Sequence, residues 1–234
     1  LQENVATGAA DGYARMSGLP AATLLHCGPG FANGLANVHN AKKARVPMVN
    51  IVGEHASYHI EYDAPLTSDI QGIVGPVSDW VVTSMTPDDV GPDAARAVSK
   101  AKTWPGKIAT MILPADMAWS ETDLVGTDLL PDAPQKVIPA EVKAVAKALK
   151  SGKKAVIFLS GAVLIEPGLS KAGKVRAATG ADLLAQTSNR RIDRGAGRVP
   201  VGKLPYPVDH ALATLKDYEV VILLGTDEPV SFFA

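Results

Sequence analysis

The chain has 234 residues, 47% of them hydrophobic, and a formal net charge of −1 at neutral pH, which suits one large or two ordinary domains with cores that need no disulfides or metals. With acids and bases balanced and no basic stripe, there is no electrostatic footprint for nucleic acid or an anionic membrane, so small molecules or other subunits are the expected partners. A single cysteine, Cys27, excludes an internal disulfide and fits a reducing compartment such as the cytoplasm; there is neither a signal-peptide start nor an apolar run of the roughly 20 residues that span a bilayer.

The sequence opens at Leu1, without Met and already inside helix-like sequence, and reads as a fragment. Glu3 to Met16, rich in Ala, predicts a helix ended by the Ser17-Gly18-Leu19-Pro20 breakers. Ala21 to Leu25 predicts a buried strand entering a tight Gly28-Pro29-Gly30 turn, Phe31 to Lys43 a second helix, and Pro47 to Val52 a second buried strand closed by Gly53. A long polar loop with His55, His59, Glu61 and Asp63 leads to a strand over Trp80 to Ser84. Thr86-Pro87-Asp88-Asp89 is a helix start, with a capping Thr, a first-turn Pro and acids that favour the dipole. That helix runs to about Lys102, and Pro105-Gly106 turns the chain into an apolar strand over Ile108 to Leu113.

From Trp119 to Pro139 the composition shifts to Asp, Pro, Gly and Thr, as in an interdomain linker. Beyond it, Ala140 to Leu149 carries an apolar stripe of Val142, Val145, Ala146 and Leu149, and Ala155 to Leu159 reads as a strand. Helix-like Leu169 to Ala178 and Val208 to Leu215 alternate with strand-like Asp182 to Gln186 and Val220 to Leu224. The alternation predicts an α/β fold of two doubly wound units with mainly parallel sheets. The stop at Phe233-Ala234, just past a strand, predicts truncation at that end as well as at the start.

Ligands of open parallel sheets bind at the carboxyl ends of strands, which directs attention to His26-Cys27-Gly28-Pro29-Gly30-Phe31-Ala32-Asn33-Gly34. Gly28 and Gly30 permit close backbone approach to a ligand, and the helix that follows offers free N–H groups. The glycine spacing is not a dinucleotide fingerprint, and a Gly-Pro-Gly turn also serves as plain structural punctuation. His55 and His59 with Glu61 and Asp63 have a spacing that would suit metal ligands on a helix, but the segment reads as an irregular, solvated or substrate-side loop. Cys27 reads as a buried structural cysteine facing away from His26, and Arg190-Arg191-Ile192-Asp193-Arg194 as a solvated loop.

Three segments in order, Glu3-Asn4-Val5-Ala6-Thr7-Gly8-Ala9-Ala10-Asp11-Gly12-Tyr13-Ala14-Arg15, the His26 to Gly34 segment, and Pro47-Met48-Val49-Asn50-Ile51-Val52-Gly53, carry more than any one of them. Together they resemble the pyrimidine-binding domain of thiamine-diphosphate enzymes of the acetolactate synthase and benzoylformate decarboxylase group. Pro76-Val77-Ser78-Asp79-Trp80 and Leu113-Pro114-Ala115-Asp116 continue the pattern, so the resemblance covers residues 1 to about 120, while 140 to 234 more loosely resemble the central domain. It implies a pyrimidine-binding domain over residues 1–125, a linker over 126–138 and a partial central domain over 139–234. The diphosphate-binding domain, with its Gly-Asp-Gly segment and paired asparagines that hold the coenzyme through Mg2+, has no counterpart in this sequence.

The resemblance further implies thiamine diphosphate as cofactor and decarboxylation or carboligation of a small 2-oxo acid, by a homodimer or homotetramer whose sites lie between subunits. Glu3 falls at the position of the glutamate that hydrogen-bonds the aminopyrimidine ring, and its neighbours Val5, Ala6, Ala9 and Ala10 predict a desolvating setting that keeps a shared proton available. Pro29 and Asn33 match positions lining the pyrimidine pocket, and His26 matches a histidine of the benzoylformate decarboxylase branch that handles protons on the substrate side. FAD, bound by the central domain of some relatives, has no clear contacts here and is not expected. Each residue also has an ordinary reading: Glu3 complementing a helix dipole, Asn33 as a polar first-turn residue, His26 as a buried histidine bonded to backbone. A catalytically silent homologue that keeps the fold, or an unrelated α/β binding protein, remain the alternatives to an enzyme.

Overall fold

Helix α1, Glu3–Ser17, stops where Gly18 takes a left-handed φ of 80° and its N–H closes onto the Ala14 carbonyl, a conformation that costs glycine no Cβ clash. The computed structural model describes residues 2–231; the expected stop at Phe233-Ala234 lies outside the described residues. Strand β1, Ala21–His26, runs directly into helix α2, Cys27–Lys43. The expected turn before a helix at Phe31 is therefore corrected, because Gly28, Pro29 and Gly30 form the first turn of α2. Proline fits there since first-turn N–H groups have no intrahelical acceptor, and the reversal of direction is made by Cys27 at φ 52°.

Strand β2, Met48–Glu54, follows. The polar segment expected to be irregular instead contains a short 3-10 helix, Ser57–Tyr62. Helix α3, Ile70–Val74, was not foreseen in the sequence; Asp69 caps it by accepting from the Gly72 N–H, and Ile70 and Val74 are buried. Strand β3, Trp80–Thr83, helix α4, Pro87–Lys102, and strand β4, Ile108–Pro114, match the predicted elements, with Thr86 and Asp89 closing a capping box at the start of α4. A short helix α5, Ala115–Trp119, ends the series.

The chain divides into two compact units, Leu1–Pro134 and Gln135–Ala234. In the first, the sheet order is β1-β2-β4-β3 with every pairing parallel. Phe31, Val38 and Ala41 of α2 pack with Met48, Val52, Val74 and Ile108 in the main core, each large side chain contributing about 1.5–3 kcal/mol by burial. The opposite face is smaller, with Ala97 and Ala101 of α4 lying on Val49 and Ala109.

The second unit contains helix α6, Pro139–Leu149, strand β5, Ala155–Leu159, helix α7, Gly168–Thr179, strand β6, Asp182–Ala185, strand β7, Gly202–Lys203, helix α8, Val208–Leu215, and strand β8, Val220–Leu224. Its sheet, β7-β6-β5-β8, is again parallel throughout. Of the α6 stripe only Leu149 is buried; Val142 and Val145 line an apolar hollow shared with α7 and β8. The Arg190 to Arg194 segment is not simply solvated. Ile192 packs on the core, and Asp193 accepts from the Glu166 N–H at 3.1 Å while its own N–H bonds the Leu164 carbonyl. No helix among the described residues is long and apolar enough to cross a membrane.

Two glycines should respond oppositely to an added methyl group. Gly34→Ala would place Cβ 2.7 Å from Thr7 Cγ2 and is expected to lower stability by about 1–3 kcal/mol. Gly12→Ala, where nothing lies within 4 Å, is expected to raise it by about 0.5–1 kcal/mol. Urea unfolding of the two variants measures both signs.

Candidate functional site

Because all four strands of the first sheet are parallel, their carboxyl ends meet at one edge. His26 stands in register with Gly53, and Glu54 with Pro114. The ends of β1, β2 and β4 thus bring His26, Cys27, Glu54, His55 and Asp116 to that edge from positions far apart in sequence.

Helix α1 brings Glu3 to the same region by packing closely on α2. Thr7 is fully buried at the crossing, and its hydroxyl donates to the carbonyls of Glu3 and Gly34 at 3.1 Å. Asn37 Nδ2 donates to the Asn4 carbonyl at 2.6 Å, and Asn33 Nδ2 donates to Glu3 Oε2 at 3.2 Å. Gly30 lies below the carboxylate: a Cβ there would stand 3.7 Å from Glu3 Oε1 and 3.6 Å from His26 Cβ. Glu3, Gly30, Asn33 and His26 are therefore brought together.

Two details depart from expectation. Glu3 is half-buried, but Val5, Ala6 and Ala9 are exposed in this chain and do not desolvate it. They occupy the outer face of α1, whereas Thr7, Ala10 and Ala14 occupy the inner one. Gly28 is buried, yet the space its missing side chain leaves is taken by Ser68 Oγ and Ile73, so the close approach it allows is that of the chain's own 68–73 segment. Pro29 is exposed at the edge of the turn.

His59, Glu61 and Asp63 are exposed; the His59 ring packs edge-on against His55 with centroids 5.8 Å apart, but among the described residues the three do not join it in a group of metal-ligand atoms. His55 instead meets Cys27 and Glu54, a grouping that spacing could not reveal because it forms across two strands. Burial first, and the Glu54 carboxylate second, push the Cys27 thiol above its usual range, so it is held protonated rather than activated. Cys27 Sγ also lies 3.9 Å from both ring nitrogens of His26. At the rim, the Ser57 hydroxyl and N–H both donate to the Asp116 carboxylate and hold it below the ordinary range of an aspartate, fastening the 3-10 helix to the end of β4.

Comparison with known proteins gives this arrangement a context. Residues 1–74 match the family described as thiamine pyrophosphate enzyme, N-terminal TPP binding domain. Over 234 residues the chain is 47% identical to a Mycobacterium tuberculosis protein named provisionally as the acetolactate synthase large subunit IlvX, covering 100% of this chain and 45% of the relative. It is 31% identical to the acetolactate synthase large subunit of Corynebacterium glutamicum over 67% of this chain and 26% of that protein. The solved structure of benzoylformate decarboxylase from Polynucleobacter necessarius shares the fold with a TM-score of 0.81 at 19% identity, over 99% of this chain and 44% of the other. The chain spans less than half the length of these relatives.

The Ser57–Asp116 attachment predicts an acid-sensitive rim. An aspartate whose folded titration lies below its unfolded value near about 3.9 stabilises the fold above that value, and the contribution is lost as pH falls through the folded one. Amide exchange of residues 57–62, corrected for intrinsic rates, is expected to stay slow at pH 6 and to accelerate below about pH 4. In Asp116→Asn it should be fast at both ends of the range.

Proposed function

We propose that the chain, whose residues 1–74 match the N-terminal domain of thiamine pyrophosphate enzymes, is of the acetolactate synthase-like group and builds the half-site holding the aminopyrimidine end of thiamine diphosphate. The enzyme it serves decarboxylates or ligates a small 2-oxo acid. The observation carrying this reading is the Glu3 carboxylate, oriented through Oε2 by Asn33 while Oε1 lies beside Gly30 without a partner among the described residues.

The residues present fit the pyrimidine end of the coenzyme. An oriented carboxylate with one oxygen free of partners among the described residues can accept a hydrogen bond from a ring nitrogen. Gly30, lacking a side chain, puts no Cβ against that oxygen, where one would stand 3.7 Å away. When bound, thiamine diphosphate would supply an acidic carbon that, once deprotonated, attacks the carbonyl of a 2-oxo acid.

The chain's own residues divide the remaining work. Glu3 Oε1 holds the proton shared with the pyrimidine ring, and Asn33 fixes the carboxylate so that little reorganisation is needed. Pro29 offers an apolar edge and Gly28 contributes main chain alone. His26, exposed at the end of β1, faces the substrate side and moves protons there. We assign the diphosphate, with Mg2+, to a domain outside these 234 residues and the completed site to a dimer or tetramer, consistent with the fraction of the relatives that this chain spans.

The test uses these residues in a protein that includes the diphosphate-binding domain. Glu3→Gln is expected to slow deuterium exchange at the reactive coenzyme carbon by on the order of 100-fold or more with an unchanged circular dichroism spectrum; unaltered exchange overturns the assignment. For His26→Ala, turnover of a 2-oxo acid should fall while coenzyme exchange persists, and equal loss of both would contradict the division of roles.

A further inference from the structure

We propose that Cys27, Glu54 and His55 form a binding site for a divalent cation of the zinc class, at the carboxyl ends of β1 and β2. One thiol sulfur, one carboxylate oxygen and one imidazole nitrogen lie within 4.8 Å of one another. The supports are firm: Cys27 is the junction between β1 and α2, Glu54 is the last residue of β2, and the strands are locked in register from Ala21–Met48 to His26–Gly53.

Several features of the three residues point to a cation. The Nε2 atom of His55 is buried and has no hydrogen-bond partner among the described residues, an expense that a metal bond would remove. Glu54 accepts from the His55 N–H at 2.7 Å but is in no ion pair among the described residues. Cys27 is 1% exposed and adopts a left-handed φ of 52°, a backbone state that a non-glycine residue keeps only when its surroundings over-determine it.

The donor set decides the class of ion. Magnesium and calcium take oxygen donors, whereas a mixture of sulfur, nitrogen and oxygen suits zinc. Zinc–ligand bonds of about 2.0–2.3 Å hold the donors of a tetrahedral site within the 4.8 Å that bounds the three donor atoms here. Binding releases the Cys27 proton to solvent, so that a thiolate, a carboxylate and a neutral imidazole face the ion and a fourth position stays open to water.

Cobalt(II), the spectroscopic substitute for zinc, titrated into the 234-residue chain tests the site without coenzyme, so failure here leaves the pyrimidine half-site untouched. A thiolate-to-cobalt absorption band saturating at one equivalent and displaced by zinc is expected. Cys27→Ser should abolish the band, and His55→Ala should weaken zinc binding by more than about tenfold, the loss already seen for outer-shell changes. Glu61→Gln, on the exposed neighbouring 3-10 helix, should leave affinity unchanged. Absence of the band in the unmodified chain overturns the proposal whatever the variants do, as does zinc affinity that survives His55→Ala.

Discussion

The close crossing of α1 over α2 is the constraint on which the first unit's site depends. Gly34 has no side chain, so Thr7 can enter the crossing and bond the Gly34 carbonyl from a fully buried position. With the two helices held this near, the amides of Asn33 and Asn37 reach across to Glu3 and to the Asn4 carbonyl. A wider separation would break the cross-helix bond and leave the Thr7 hydroxyl only the Glu3 and Asn4 carbonyls of its own helix, and would take Glu3 away from Gly30. The position of one carboxylate thus rests on the absence of one methyl group thirty-one residues later in the chain.

A parallel sheet does the complementary work. Its strands end on the same side, so residues next to each end share one rim even when the chain between them is long. The interior of the sheet accommodates this with paired polar groups: Thr23 donates to Asn50 at 2.7 Å between β1 and β2, and Ser78 and Thr110 share a hydrogen bond at 2.7 Å. Such pairs give buried oxygens a partner, although Asn50 Nδ2 has none among the described residues, and help to specify the register that sets His26 opposite Gly53.

In the second unit, loops are tied down by acids acting as acceptors for backbone and hydroxyl groups. Asp193 accepts from the Glu166 N–H, Glu166 in turn accepts from the Ser170 hydroxyl at 2.7 Å, and Asp182 accepts from Tyr218 at 2.7 Å. Burial, then the bond to Asp182, pushes the Tyr218 hydroxyl up to about 12. Basic loop sequence that reads as solvated, Arg190 to Arg194, is thereby pinned along the unit's core, with Ile192 as the apolar anchor.

The alternation of apolar runs with amphipathic helices was enough to determine an α/β chain with parallel sheets, since buried parallel strands and their crossover helices leave distinct local patterns. Element ends were equally legible wherever local chemistry sets them, as with Gly18 after α1 and the Thr86 box before α4. Glu3, His26, Gly30 and Asn33 could be singled out by their segments, and tertiary structure decided that Asn33 reaches Glu3. It also decided that Val5, Ala6 and Ala9 face outward, that the space at Gly28 is filled by Ser68, and that His55, its ring packed on His59, brings a donor atom to Cys27 and Glu54. The physical reason is one of range. Backbone preference and hydrophobic period are properties of neighbouring residues, whereas a side chain's surroundings depend on which distant strand or helix the core selects to lie beside it.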